Sequence, residues 1–187
     1  MLIGYAICGS FCTHAHALNA VARLVSAGHT VLPILSERAA TTDTRFGRAS
    51  DLRQSLITLT GNSPIDSVVA AEPLGPMTPL DLLVIAPCTG NTLSKLAHGE
   101  SDGTVSLAAK AHLRADRPLL IGLASNDAMS ANLSSIATML SRKSVYFLPL
   151  KQDDPERKPH SLVCDFTQLD ECAALAMQGK QKRPLFL

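Results

Sequence analysis

Short apolar runs alternate with segments of helical period along most of this chain, and that alternation restricts the folds open to it. Residues 2–8, 30–35, 82–86, 118–123 and 145–148 are apolar runs of strand length. Between them, residues 15–27 put Leu18, Val21, Leu24 and Val25 on one helical face, and Gly28 is placed to end that helix in a left-handed turn. Residues 49–59, 92–97, 104–115, 127–140 and 166–177 also read as helices. Strands alternating with helices imply a parallel sheet covered on both faces and joined by right-handed crossovers. The weaker run 67–70 reads as a further strand, and the prolines at 73, 76 and 79 argue against a helix after it. The polar connection 36–47 is longer than such a unit needs, and loops of that length often carry function. A second polar loop runs from 151 to 160.

Apolar residues make up 46% of the 187, yet only 4% are aromatic and none is tryptophan. Ala, Leu, Val and Ile therefore fill the core of one domain over 1–187, with a core over 1–150 and a polar loop and closing helix over 151–187. The formal net charge is +1 and the Lys and Arg are scattered, which excludes a nucleic-acid footprint. Five cysteines without paired spacing argue for reduced thiols. With no signal-like start and no apolar run of the ~18 residues a membrane span needs, the expectation is a soluble cytoplasmic protein with no membrane partner.

In an open parallel sheet, ligands bind beyond the carboxyl ends of the strands, which selects the loops 9–16, 36–47, 87–92 and 124–129. Gly9 and Ser10 follow the first strand and let the backbone approach an anion; the Gly-x-Gly-x-x-Gly pattern of dinucleotide sites is absent. After the buried run at 82–86, Thr89, Gly90, Asn91 and Thr92 lead into a helix and offer amides and hydroxyls to a phosphate. An N-cap accounts for one such polar residue, worth about 1 kcal/mol, and less well for several in a row. Cys8, Cys12, His14 and His16 invite a zinc reading. However, Cys8 points into the sheet, and His14 and His16, two apart, cannot share a helical face, so no metal site is assigned. His14 and Cys12 are read instead as lining the ligand cleft, with His14 a catalytic candidate.

The segment Pro87, Cys88, Thr89, Gly90, Asn91, Thr92 resembles the Pro-x-Ser-Ala-Asn-Thr motif of the flavin-dependent cysteine decarboxylases. Its continuation through Asp102 resembles the Leu-Ala-x-Ile-Ala-His-Gly-x-Ser-Asp phrase of the flavin prenyltransferases. Asn126 to Met129 is similar to the second half of the same superfamily's Pro-x-Met-Asn-x-x-Met motif, with Leu123 standing for the Pro and Ser125 for the first Met. The resemblance implies a flavodoxin-like, Rossmann-like three-layer α/β fold. It also implies FMN, or phosphate in its place, as ligand and a homotrimer or dodecamer as assembly. It would put Gly9, Ser10, Ser36, Pro87, Cys88, Thr89, Gly90, Asn91 and Thr92 around the cofactor, and Asn126 beside its ring and the substrate. Residues 76–80 hold no histidine where the cysteine decarboxylases carry theirs, and the prenyltransferases' Arg-Glu-Thr-Pro phrase is missing after 118–123.

The phrases at 42–47, 71–76 and 152–161 are similar to those of the B-subunit family of the dipicolinate synthases of spore-forming bacteria. That resemblance implies a part in oxidising a dihydrodipicolinate-level precursor to dipicolinate during sporulation. The expected partner is the A subunit of dipicolinate synthase, carrying NADP. A small dicarboxylate substrate suits a bidentate arginine, and Arg45 is the first candidate. Lys151, Arg157 and Lys158 would screen the anionic substrate or dock the A subunit. Two alternatives stand beside this reading: a non-catalytic scaffold organising the A subunit, and a stand-alone FMN-dependent decarboxylase or flavin prenyltransferase.

Overall fold

Residues Leu82–Cys88 are buried at every position, which requires neighbouring strands on both edges and helices on both faces. The computed structural model describes residues 1–75 and 77–187, and it supplies both. Strand β1 (Leu2–Ile7) pairs in parallel with β2 (Thr30–Leu35) on one side and with β3 (Leu82–Cys88) on the other. Strand β4 (Leu119–Ser125) lies in parallel on the far side of β3, and β5 (Val145–Phe147) pairs with the first half of β4. The parallel order is therefore 2-1-3-4-5, the flavodoxin-like arrangement, and it reverses direction between β1 and β3.

Among the described residues, eight helices cover this sheet: α1 (His14–Ser26), α2 (Glu37–Thr41), α3 (Ala49–Thr60), α4 (Val68–Ala71), α5 (Gly90–His98), α6 (Thr104–Leu113), α7 (Leu133–Leu140) and α8 (Leu169–Met177). Helix α1 packs on α3 and α8, whereas α6 packs on α4 and α5, and α5 on α7.

The sheet is mixed rather than wholly parallel. The short strands β6 (Leu150–Lys151) and β7 (Leu162–Cys164) pair antiparallel, and β7 continues against the carboxyl end of β4 through Ala124 and Ser125. The polar loop expected over 151–160 is thus the excursion between two strands. Helix also replaces the strand expected at 67–70: Ser67 accepts a hydrogen bond from the Ala70 amide, and this cap outweighs the strand preference of Val68 and Val69. Pro73 lies in a single 3-10 turn, Glu72–Leu74, at a first-turn position that needs no donor. Pro76, counted with it in the non-helical stretch, lies outside the described residues. Within 36–47, Ser36 caps the short α2 through the Ala39 amide, and a tight turn joins Thr44 to Gly47. The helix expected from 127 begins only at Leu133, because Met129 N–H is drawn to His160 O and Asn132 N–H to Asp127 O.

The outer strands are covered. Ile65 bonds back to β2 on both sides of Ile34, Gln181 uses its side-chain amide to pair with both backbone groups of Phe147, and Leu150 bonds to Leu185 and Leu187.

Gly122 lies in β4 where a Cβ would be 2.7 Å from Ala86 Cβ and 2.9 Å from both Cys164 Sγ and Leu148 Cδ1. Gly122→Ala is therefore expected to cost about 1–3 kcal/mol by overpacking, read from the urea midpoint. His112 is buried with Nε2 2.7 Å from Pro118 O, and burial lowers its pKa from 6.5; burial also lowers that of His14. Unfolding lets both imidazoles bind protons below 6.5, so stability should fall as pH drops from about 7.5 to 5.5. His112→Gln should flatten that slope in urea titrations at each pH.

Candidate functional site

The carboxyl ends of β1 and β3 meet where the strand order reverses, so the chains leaving them border one crevice. From β3 the chain passes through Thr89 in an extended conformation into α5. Thr89 Oγ1 accepts the Thr92 amide at 3.2 Å, the two hydroxyls are 3.0 Å apart, and Thr92 Oγ1 donates to Cys8 Sγ at 3.4 Å. Burial pushes the Cys8 thiol up to about 11, so it stays protonated at neutral pH. The amides of Gly90 and Asn91 have no intrahelical acceptor and form the positive end of a nine-residue helix.

A cleft of about 450 Å³ opens on this helix end, walled by Gly9, Ser36, Arg38, Thr89, Asn91 and Thr92. Two of the charged groups lining it are already engaged. Glu37 accepts from Thr104 N and Oγ1 at 2.7 and 2.9 Å, and Lys95 is held by both oxygens of Asp102 at 2.8 and 2.7 Å. Burial raises the Glu37 carboxyl, but the hydrogen bonds from Thr104 outweigh it and hold the group below its usual range. Arg38 has no ion-pair partner among the described residues, so its charge is available to an anion.

A second cleft of about 380 Å³ shares Gly9, Phe11, Thr89 and Asn91 with the first and extends to the loop after β4. Asn126 lines it together with Gly90, Cys12, Phe46, Asp153 and Lys158. Ser125 donates to Asn132 Oδ1 at 2.8 Å, and Asn132 Nδ2 reaches Gly90 O at 3.4 Å, which ties this loop to the start of α5. Gly90 is required for that contact: a Cβ there would collide with Asn132 Oδ1 and lie 2.6 Å from Ser125 Oγ. The turn carrying Phe46 and the loop carrying Asp153 and Lys158 are distant in sequence, and both end on this cleft.

The fold brings together Gly9, Thr89 and Asn91, which line both clefts, with Ser36 and Thr92 in the first and Ser10, Gly90 and Asn126 in the second. Pro87 and Cys88 are buried inside β3 and line neither. The Pro87 carbonyl instead accepts the Cys8 amide at 3.0 Å. Arg45 is exposed, 4.8 Å above the ring of Phe46, and lines neither cleft. His14 packs against Phe11, ring centroids 5.3 Å apart, with Nε2 2.9 Å from Cys8 O, and borders a smaller pocket that shares Phe11 with both clefts and Phe46 with the second. His16 stacks on Phe166 at 5.9 Å, so the Cys8, Cys12, His14, His16 string disperses. Gly9 and Ser10 lead into a 3-10 turn, Phe11–Thr13, before α1, and the starts of α2, α5 and α6 border the first cleft. Sequence reasoning missed Phe11, Arg38, Phe46, Asn132 and Asp153. Of these, Phe11, Arg38 and Phe46 sit in loops to which the strand-end rule already points, whereas Asn132 and Asp153 do not.

This doubly wound sheet with a helix end opening on joined clefts belongs to a known class: the chain is a member of the Flavoprotein family, whose profile matches residues 2–179. Within it, the chain is 40% identical to the B subunit of dipicolinate synthase from Bacillus subtilis strain 168 over 185 residues, 99% of this chain and 92% of that one. The crystal structure of the dipicolinate synthase B subunit from Bacillus halodurans superposes with a TM-score of 0.91 at 40% identity, covering 100% of this chain and 95% of the other. The FMN-dependent cysteine decarboxylase SpaF shares the fold, with a TM-score of 0.68 at 22% identity over 95% and 97% of the two chains.

Gly90→Ala should destabilise the protein by about 1–3 kcal/mol. Asn132→Ala removes the obstacle, so in urea unfolding the double variant should lose less than the sum of the single losses.

Proposed function

We propose that this chain is the FMN-binding B subunit of a two-subunit dipicolinate synthase, holding the cofactor phosphate in the first cleft and the ring and substrate in the second. One observation carries the reading: Asn91 at the start of α5 and Arg38, without an ion-pair partner among the described residues, line the first cleft, which shares Gly9, Phe11, Thr89 and Asn91 with the second, where Gly90 meets residues of the dipicolinate-type segments 42–47 and 152–161. The residues fit a phosphorylated flavin. Gly9 keeps the floor low, since a Cβ there would stand 3.3 Å from Arg38 Cβ, and Phe11 borders both clefts.

Bound FMN would supply two-electron redox chemistry. The chain's own residues bind and orient: Arg38 and the α5 amides neutralise phosphate, Thr89 and Thr92 fix the helix start, and Phe11 and Phe46 exclude water. Asn126, whose Oδ1 is 3.5 Å from Ser161 Oγ, faces the substrate. The reading makes the complex a cytoplasmic oxidoreductase, with this chain a homotrimer or dodecamer and NADP on the A subunit. No helix among the described residues is long and apolar enough to cross a membrane.

A second reading, a scaffold organising the A subunit, draws on one placement. With Arg45 and His14 elsewhere, no imidazole or guanidinium is among the residues lining the second cleft.

Titration of the purified chain with FMN and riboflavin, followed by flavin absorbance and fluorescence, tests the phosphate assignment. FMN should bind at least about tenfold tighter than riboflavin, a difference of about 1.4 kcal/mol from the phosphate. Asn91→Asp and Arg38→Ala should each remove most of that preference, Asn91→Asp without loss of stability because an acid suits a helix start. Equal binding of the two flavins would sink the phosphate assignment.

A further inference from the structure

Lys158 is the cation among the residues lining the second cleft, and it is not free: its Nζ is 2.9 Å from Asp153 Oδ2. Both belong to the arm between β6 and β7. That arm keeps its shape through other bonds: Lys158 N to Asp154 O at 2.8 Å, Arg157 N to Asp154 Oδ1 at 3.1 Å, Ser161 N to Lys158 O at 3.0 Å, and Gln152 Nε2 to Pro159 O at 3.0 Å. The Met129 amide, bonded to His160 O at 2.9 Å, anchors the arm to the Asn126 loop. The Lys158–Asp153 pair can therefore open without undoing the arm. Its side chains are 46% and 32% exposed, and an ion pair so placed contributes little to stability.

While the pair is closed, the charged residues lining the cleft disfavour an anion. Asp127 and Asp153 against Lys158 leave one net negative charge, which repels an anionic ligand for as long as Asp153 holds the lysine. Burial raises the Asp153 carboxyl, but hydrogen bonds from Lys158 and Ser161 outweigh it and keep the group anionic at neutral pH. Ser161 Oγ also lies 3.5 Å from Asn126 Oδ1, so the position held by the Asp153 carboxylate is linked to the Asn126 side chain. Phe46, 54% exposed, lines the same cleft, with the Arg45 guanidinium 4.8 Å from its ring centroid.

We propose that Asp153 is an internal stand-in for a ligand carboxylate. A planar cyclic carboxylic acid displaces it from Lys158, sets its ring against Phe46 and turns Asp153 out towards solvent. The inference rests on reading the second cleft as the substrate site, and it names Lys158 as the group that binds substrate carboxylate there, with Asp153 as its competitor.

The test is calorimetric titration of the full-length protein, with and without FMN, using pyridine-2,6-dicarboxylate as probe. Lys158→Gln should weaken binding at least about fivefold, Lys158→Arg should retain it, and Asp153→Asn should strengthen it at least about fivefold by removing the competitor. FMN affinity should be the same in all three variants. A merely structural pair predicts the opposite for Asp153→Asn, namely weaker binding or none. If Asp153→Asn fails to tighten binding, or Lys158→Gln leaves it unchanged, the proposal is overturned. Where the wild-type chain binds too weakly to measure, Asp153→Asn must bring binding into range or the proposal falls. Loss of the FMN preference with the carboxylate series intact would remove the flavin reading alone. FMN binding with a flat carboxylate series would remove this inference alone.

Discussion

Full burial of β3 is the constraint from which the rest of the architecture follows. A strand dry on both faces and both edges must sit between β1 and β4 and beneath two helical layers. Its carboxyl end must then deliver the chain to the surface at the crevice where the strand order turns back. The first helix turn after it, from Gly90, begins with amides that no helical carbonyl can meet. Packing in the core thus places unmet donors at the mouth of the clefts, as a by-product of where a buried strand has to end.

Electrostatics in the two clefts follows a different rule from the core. Net charge is close to zero, and most charges near the site are neutralised within the chain: Lys95 by Asp102, Glu37 by the start of α6, Lys158 by Asp153. Arg38 stands apart from this pattern in the first cleft. Under the reading proposed above, an anion entering the second cleft has to replace such an internal pair.

Much of this could be read from residue order alone. Residues 82–92 were legible because strand, turn and helix are local there, although residue type left open which of the polar residues caps the helix and put its start at 92 rather than at Gly90. Ser36 was legible from its position after β2. The antiparallel pair β6 and β7 was not, because two- and three-residue strands carry no period and their pairing with Ala124 and Ser125 is decided across the chain. Val68 and Val69 misled by their β-branching, which a single serine cap overrode. Arg45 and His14 were plausible by loop and type, but direction is not written in either. Arg45 packs on the ring of Phe46 and His14 on that of Phe11, each against a residue that lines a cleft rather than lining one itself. Asp153 and Asn132 were invisible for the reverse reason, since their partners come from folds of the chain that no local pattern marks.

The covering of the outer strands bears on how copies of this chain can meet. Ile65 against β2, the Gln181 side chain against Phe147 and the Leu185–Leu187 segment against β6 each occupy backbone groups that would otherwise be exposed. Pro33, within β2, removes one donor more from the other margin. The sheet therefore offers little unpaired ladder to a second sheet, and indefinite ribbon-like growth is blocked at its borders. Any closed assembly of this chain has to be built through side chains on its helices and loops, which confines specificity to surfaces that can vary without disturbing the strand ladder beneath them.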